Sequence, residues 1–234
     1  MELPPYWLSA PGPGPDRATV ENFDELLARA VEHGPDRPID YQLDAPKWQF
    51  LCHVADRADV VLHGSGDPDI RCFEPRQPAD TLEFSNRRAV FAATDGIWPL
   101  HYATLDRDRH PGVRTLNACV RPGSADGRDG QLGAPAYFFS ISRWALDRRP
   151  WRSGTVYLLP AAGFERQPPI AAAGTWIHIA QAASPTPVTP VAKLTVHPAD
   201  FPFLDAVHGH DEEALSDRMA ADPRGFPWFV ADQD

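Results

Sequence analysis

Two stretches decide how this chain is read: Asp59-Val60-Val61-Leu62-His63-Gly64-Ser65-Gly66, and Ala89-Val90-Phe91-Ala92-Ala93-Thr94-Asp95-Gly96-Ile97-Trp98-Pro99-Leu100-His101-Tyr102. The first opens on a short apolar run with two β-branched residues, which predicts a buried strand. The strand stops at His-Gly-Ser. That ending delivers an imidazole, a backbone without a Cβ and a hydroxyl to one point on the sheet edge. Glycine there lets a ligand come close to the main chain. In the second stretch, residues 89–92 predict another strand, presenting Phe91. The residues after it predict a helix that returns Tyr102 eleven positions later. Two rings, one on a strand and one on the next helix, can sandwich a flat heteroaromatic ring by stacking.

Working outward, residues 1–18 contain Pro11-Gly12-Pro13-Gly14-Pro15. They are expected to form a surface arm without regular structure, docked through Tyr6, Trp7 and Leu8, ahead of one domain over 19–234. Asn22-Phe23-Asp24-Glu25 has the form of a capping box. Phe23, Leu26, Leu27, Ala30 and Val31 follow as an apolar stripe at helical period, closed at Gly34. A second helix is expected from Pro46, with Trp48, Leu51 and Ala55 on one face. Further strands are predicted at 115–120, 136–141, 155–159, 175–180 and 192–196, with loops at 122–134 and 160–174. A last helix is expected at 211–220, and Trp228, Phe229 and Val230 are expected to pack back. Helices first and strands after predict an α+β fold. The expected core is split and bent, antiparallel or mixed, of about six strands, with N-terminal helices and a C-terminal helix.

A length of 234 residues suits one domain able to bury a core without covalent staples. The net charge of −10 argues against general nucleic-acid binding, which calls for a basic surface, while leaving room for a local basic pocket. Cys52, Cys72 and Cys119 stand in unrelated contexts and read as reduced thiols. His208-Gly209-His210 has no third ligand at metal-site spacing, so no metal is expected. The first residues lack a basic and then apolar leader, and no stretch nears the ~20 apolar residues that span a bilayer. The expected location is cytoplasmic, with no membrane partner.

The two stretches together resemble the ADP-ribosyltransferases of the diphtheria-toxin and poly-ADP-ribose-polymerase type. In that family a strand ends in His-Gly-Ser or His-Gly-Thr, and a later strand and helix supply stacking aromatics. The resemblance covers about forty residues. It implies that NAD is the substrate, that His63 bonds a ribose hydroxyl and that the Gly64 backbone clamps the nicotinamide amide beside Ser65. It also places Phe91 and Tyr102 on the two faces of the nicotinamide, with Arg76 or Arg71 on the pyrophosphate. Phe91 keeps the ring of the family's tyrosine and lacks its hydroxyl. The third catalytic position, a strand-borne Glu in the family, falls to Gln181 or to Glu165. A Gln bonds a ribose hydroxyl but carries no charge to stabilise an oxocarbenium-like centre.

The implied activity is transfer or hydrolysis of the ADP-ribosyl group with release of nicotinamide. The acceptor is open: protein, nucleic acid, water or a small molecule. The alternative is a catalytically inactive nucleotide-binding or interaction protein on the same fold. A lipase-like hydrolase would use His-Gly-Ser-Gly as an oxyanion turn, but it requires a Gly-x-Ser-x-Gly elbow that the chain lacks.

Overall fold

The structure is a computed structural model, and it describes residues 4–78, 83–125, 132–172, 174–223 and 225–229. Helix α1 (Arg17–His33) starts before the expected capping box. Asp16 holds an extended backbone and its carboxylate accepts from the Thr19 N–H at 2.8 Å, so the helix is capped there and Asn22 lies inside it. α1 buries Phe23, Leu26, Leu27 and Ala30, whereas Val31 of the predicted stripe is 48% exposed. α2 (Lys47–Asp56) begins behind Pro46 and buries Phe50, Leu51, Val54 and Ala55. Phe23 and Phe50 meet edge-on at 5.5 Å, locking the two helices together.

The strands form two six-stranded sheets, where about six strands in all were expected. The first holds β1 (Leu8–Ser9), β4 (Thr115–Gly123), β5 (Ala136–Ser142), β8 (Ile170–Ala172), β9 (Thr175–Ile179) and β12 (His208–His210). Its order is β1-β5-β4-β9-β8, with β12 parallel to β5 and the other pairs antiparallel. The second holds β2 (Val60–Ser65), β3 (Val90–Ala93), β6 (Gly154–Pro160), β7 (Glu165–Arg166), β10 (Gln181–Ser184) and β11 (Ala192–Val196). It is antiparallel, in the order β11-β6-β2-β3-β10-β7. The extra strands, β1, β7, β8, β10 and β12, are pieces of two to four residues, each paired to a neighbour and too short to show a strand period of its own.

The arm is one of these pieces. Leu8 and Ser9 precede the Pro/Gly run, so their N–H groups are free to pair with Tyr137 and Ala136 at the sheet edge. Tyr6 and Trp7 each dock their rings 5.9 Å from Phe138. The C-terminal segment meets the arm there, with Phe229 at 5.4 Å from Tyr6 and 4.5 Å from His208. Trp228 is buried, and Val230 lies outside the described residues. α4 (Arg143–Leu146) is a single turn after β5, and α5 (Glu212–Ala221) is capped by Asp211.

The core lies between the sheets. Leu62, Val156, Leu158 and Leu194 of the second sheet pack with α1, α2 and α3 (Trp98–Thr104) against Cys119, Tyr137 and Phe139 of the first. The opposite face of the second sheet carries Val61, Val90, Ala92, Tyr157, Leu159 and Ala182, roofed by Phe73 and Val188. The fold is thus mixed α+β with antiparallel sheets. Among the described residues no helix is long and apolar enough to cross a membrane.

Candidate functional site

Side chains alternate along a strand, and in β2 this alternation sends neighbouring residues to opposite sides of the sheet. Leu62 faces the main core, so His63 faces the other side, among the cluster roofed by Phe73. Its Nδ1–H donates to the Phe91 carbonyl at 2.7 Å, and its ring lies 4.6 Å from that of Phe73. Burial holds its pKa below the usual value against the bond to Phe91, and the Arg76 charge pushes the same way as burial. The imidazole is therefore neutral and occupied in tying β2 to β3.

Gly64 faces the core side, where α3 lies directly on it. A Cβ there would stand 1.9 Å from the Pro99 carbonyl oxygen and 2.9 Å from the Ala103 nitrogen. The glycine admits a helix backbone, in the space where a ligand was expected. Tyr102 sits on that helix and donates to Asn117 Oδ1 at 2.9 Å. Phe91 alternates with Val90 and Ala92 and so shares the face of Ala93, the core side. Among the described residues its ring contacts neither His63 nor Tyr102.

The remaining predicted residues scatter. Ser65 Oγ accepts from the Asp67 N–H at 3.1 Å and shapes the turn. Arg76 is exposed, its backbone bridged to Ala89. Gln181 stands opposite Ala93 and its Oε1 accepts from Ser85 Oγ at 2.8 Å. Glu165 is exposed and pairs with Arg87 at 2.9 Å. The sheet itself divides the predicted set: His63 lies on one face, and Gly64, Phe91, Gln181 and Tyr102 on the other.

The open space lies elsewhere, in a cleft of about 790 Å³ between α2 and the inner face of the first sheet. Register builds its floor: Cys119 stands opposite Tyr137 on β5, and Arg121 opposite His178 on β9, so all four share one face. Its roof is the last turn of α2, with Cys52 and Asp56, and the turn carrying Asp95. Asp95 joins roof to floor. Its Oδ1 accepts from the N–H groups of Ile97 and Trp98, both at 2.8 Å, which starts α3. Its Oδ2 accepts from Tyr137 Oη at 2.8 Å. Burial, then the Asp95 charge, raise the Tyr137 pKa, so the phenol stays a donor. Gly96 presses on α2, where a Cβ would stand 2.1 Å from the Cys52 nitrogen.

Asp56 opens into the cleft. Its concave surroundings push its carboxyl above the usual range, the Arg121 charge opposes that, and the Asp95 charge adds to it. Among the described residues Arg121 makes no ion pair. His178 Nε2–H donates to the Ser124 carbonyl at 2.7 Å. Gln167, on the side wall, is 7% exposed and its Oε1 has no partner among the described residues. Burial raises the pKa of both Cys52 and Cys119, so neither thiol is an activated nucleophile. The cleft thus offers two guanidiniums that meet no carboxylate among the described residues, those of Arg121 and Arg166, with a carboxyl of raised pKa and the Gln167 amide.

Compared with protein-family models, curated proteins and solved structures, the chain matches none. What the chain does has to be read from the site itself. Asp56, Asp95, Arg121, Gln167 and His178 went unmarked in the sequence. The one local signal is Asp95-Gly96 ahead of a helical run, a helix start. The others come from four different elements brought together only by the sheet register.

Proposed function

We propose that this chain is a nucleotide-binding protein without ADP-ribosyl-transfer activity, its ligand seated in the cleft beneath α2. The observation that carries this is the unengaged guanidinium of Arg121. Arg17, Arg57, Arg87, Arg114 and Arg152 each meet a carboxylate. Arg121 lines the cleft together with Arg166 and, among the described residues, neither meets one, although the chain carries ten negative charges in excess. A guanidinium fork is suited to a phosphate, which it grips through two parallel hydrogen bonds. Asp56 is placed to accept from ribose hydroxyls. The cleft volume of about 790 Å³ lies within the roughly 300–1,000 Å³ range of sites for small molecules and cofactors.

Calorimetric titration of AMP, ADP-ribose and NAD tests this reading. The wild-type chain should bind them, and Arg121→Ala should weaken all three by roughly tenfold or more. Absence of binding, or binding indifferent to Arg121, would contradict it.

ADP-ribosyl transfer from NAD is a second reading, favoured by the order of parts. His63-Gly64-Ser65 closes β2, β3 with Phe91 lies beside it, and α3 with Tyr102 follows in the chain. Transfer would require α3 to leave Gly64 and the His63 ring to turn from Phe91. Mass-spectrometric detection of nicotinamide released from NAD would establish this second reading over the first.

A further inference from the structure

Gln167 is anchored by its own N–H, which donates to the Gln181 carbonyl at 2.9 Å, and is followed by Pro168 and Pro169, which stiffen the chain. Gln167 is 7% exposed and lines the cleft, yet its Oε1, turned inward and closed to solvent, has no partner among the described residues. Buried acceptors are almost always satisfied, because an unpaired one forfeits its bond to water for nothing. A primary amide also has a complementary partner. Its carbonyl and its N–H₂ lie side by side, matching the amino donor and ring-nitrogen acceptor on one edge of adenine.

We infer that Gln167 is the base-reading residue of the cleft, and that the ligand is an adenine nucleotide whose 6-amino group donates to the Gln167 carbonyl. The inference rests on the nucleotide reading of the cleft and adds to it the identity of the base. Rotation of the terminal amide turns its carbonyl toward the base, and Arg121 on the floor takes the phosphate end. An adenine amino group completes the bond that the unliganded protein leaves open.

AMP and purine riboside 5′-monophosphate differ by that amino group, so calorimetry with the two tests the base without any mutation. The wild-type chain should bind AMP roughly five- to tenfold tighter. In Gln167→Met, which keeps the stem and volume, the preference should vanish. The unliganded variant should also melt about 2–4 °C higher, because an orphaned acceptor has been removed. Arg121→Ala should weaken both ligands equally and leave the preference intact. Equal wild-type affinities for the two nucleotides would overturn the inference while leaving the cleft reading standing. A Gln167→Met variant that keeps the preference or melts lower would do the same. Failure of either nucleotide to bind the wild-type chain would end both.

Discussion

His63 shows how one side chain can fit a motif and serve the fold. Its Nδ1–H ties β2 to the Phe91 carbonyl and its ring fills space beside Phe73. His63→Ala should therefore cost about 2–3 kcal/mol of stability in urea denaturation, from a lost hydrogen bond and a cavity. A variant as stable as the wild type would show that the ring is not part of the packing. Histidine burial also sets a pH dependence. Burial lowers the pKa of His63, and burial with the Arg107 charge lowers that of His101 to about 3. Both are neutral when folded and bind a proton more readily when unfolded. The unfolded chain gains protons first as pH falls, so stability is complete above about pH 6.5 and declines below it, for His101 down to about pH 3. Asp56 works the other way: its raised pKa adds stability at low pH that is lost as pH climbs past its folded value. Four histidines, His208 and His210 being held low by burial alongside His63 and His101, stand against this one raised carboxyl and predict a net fall in melting temperature between pH 7 and pH 5. A flat or rising profile would show that the imidazoles are not held neutral.

Among elements, the contact of α3 with β2 decides where a ligand can go. α3 rests its backbone on Gly64, so Gly64→Ala drives a methyl into the Pro99 carbonyl. Overpacking of this kind should cost about 1–3 kcal/mol, read as a lower urea midpoint. Unchanged stability would mean that the helix stands off the strand and leaves a hollow. The long elements were legible in the chain: α1 from its stripe, β2 from its apolar run, β11 with the bounds expected of it. The faces of β2 were not. Val60, Val61 and Leu62 are apolar in succession because both sides of the strand are covered, and such a run does not say which way its next residue points. The side on which His63 emerges was therefore beyond reach of the sequence. So were β7 and β10, whose Glu-Arg and Gln-Ala-Ala-Ser carry no strand signature; β10 pairs with the edge of β3, and β7 with the edge of β10.

In the whole molecule, two sheets enclose one core, and the cleft is the gap left where α2 meets the first sheet. Asp95 spans that gap, starting α3 with one oxygen and holding Tyr137 with the other. Arg121 comes from β4, Asp56 from the end of α2 and Gln167 from the segment after β7. No spacing rule links residues so far apart in the chain, which is why the sequence pointed to the neighbouring stretches around His63. The central claim is one of location: the ligand sits under α2 and not against β2. Amide chemical-shift mapping of the ¹⁵N-labelled protein during an AMP titration tests it most directly. The shifts should concentrate at Cys52, Asp56, Arg121, Gln167 and His178. Shifts centred on His63, Gly64, Ser65 and Phe91, with the α2 cleft silent, would contradict it.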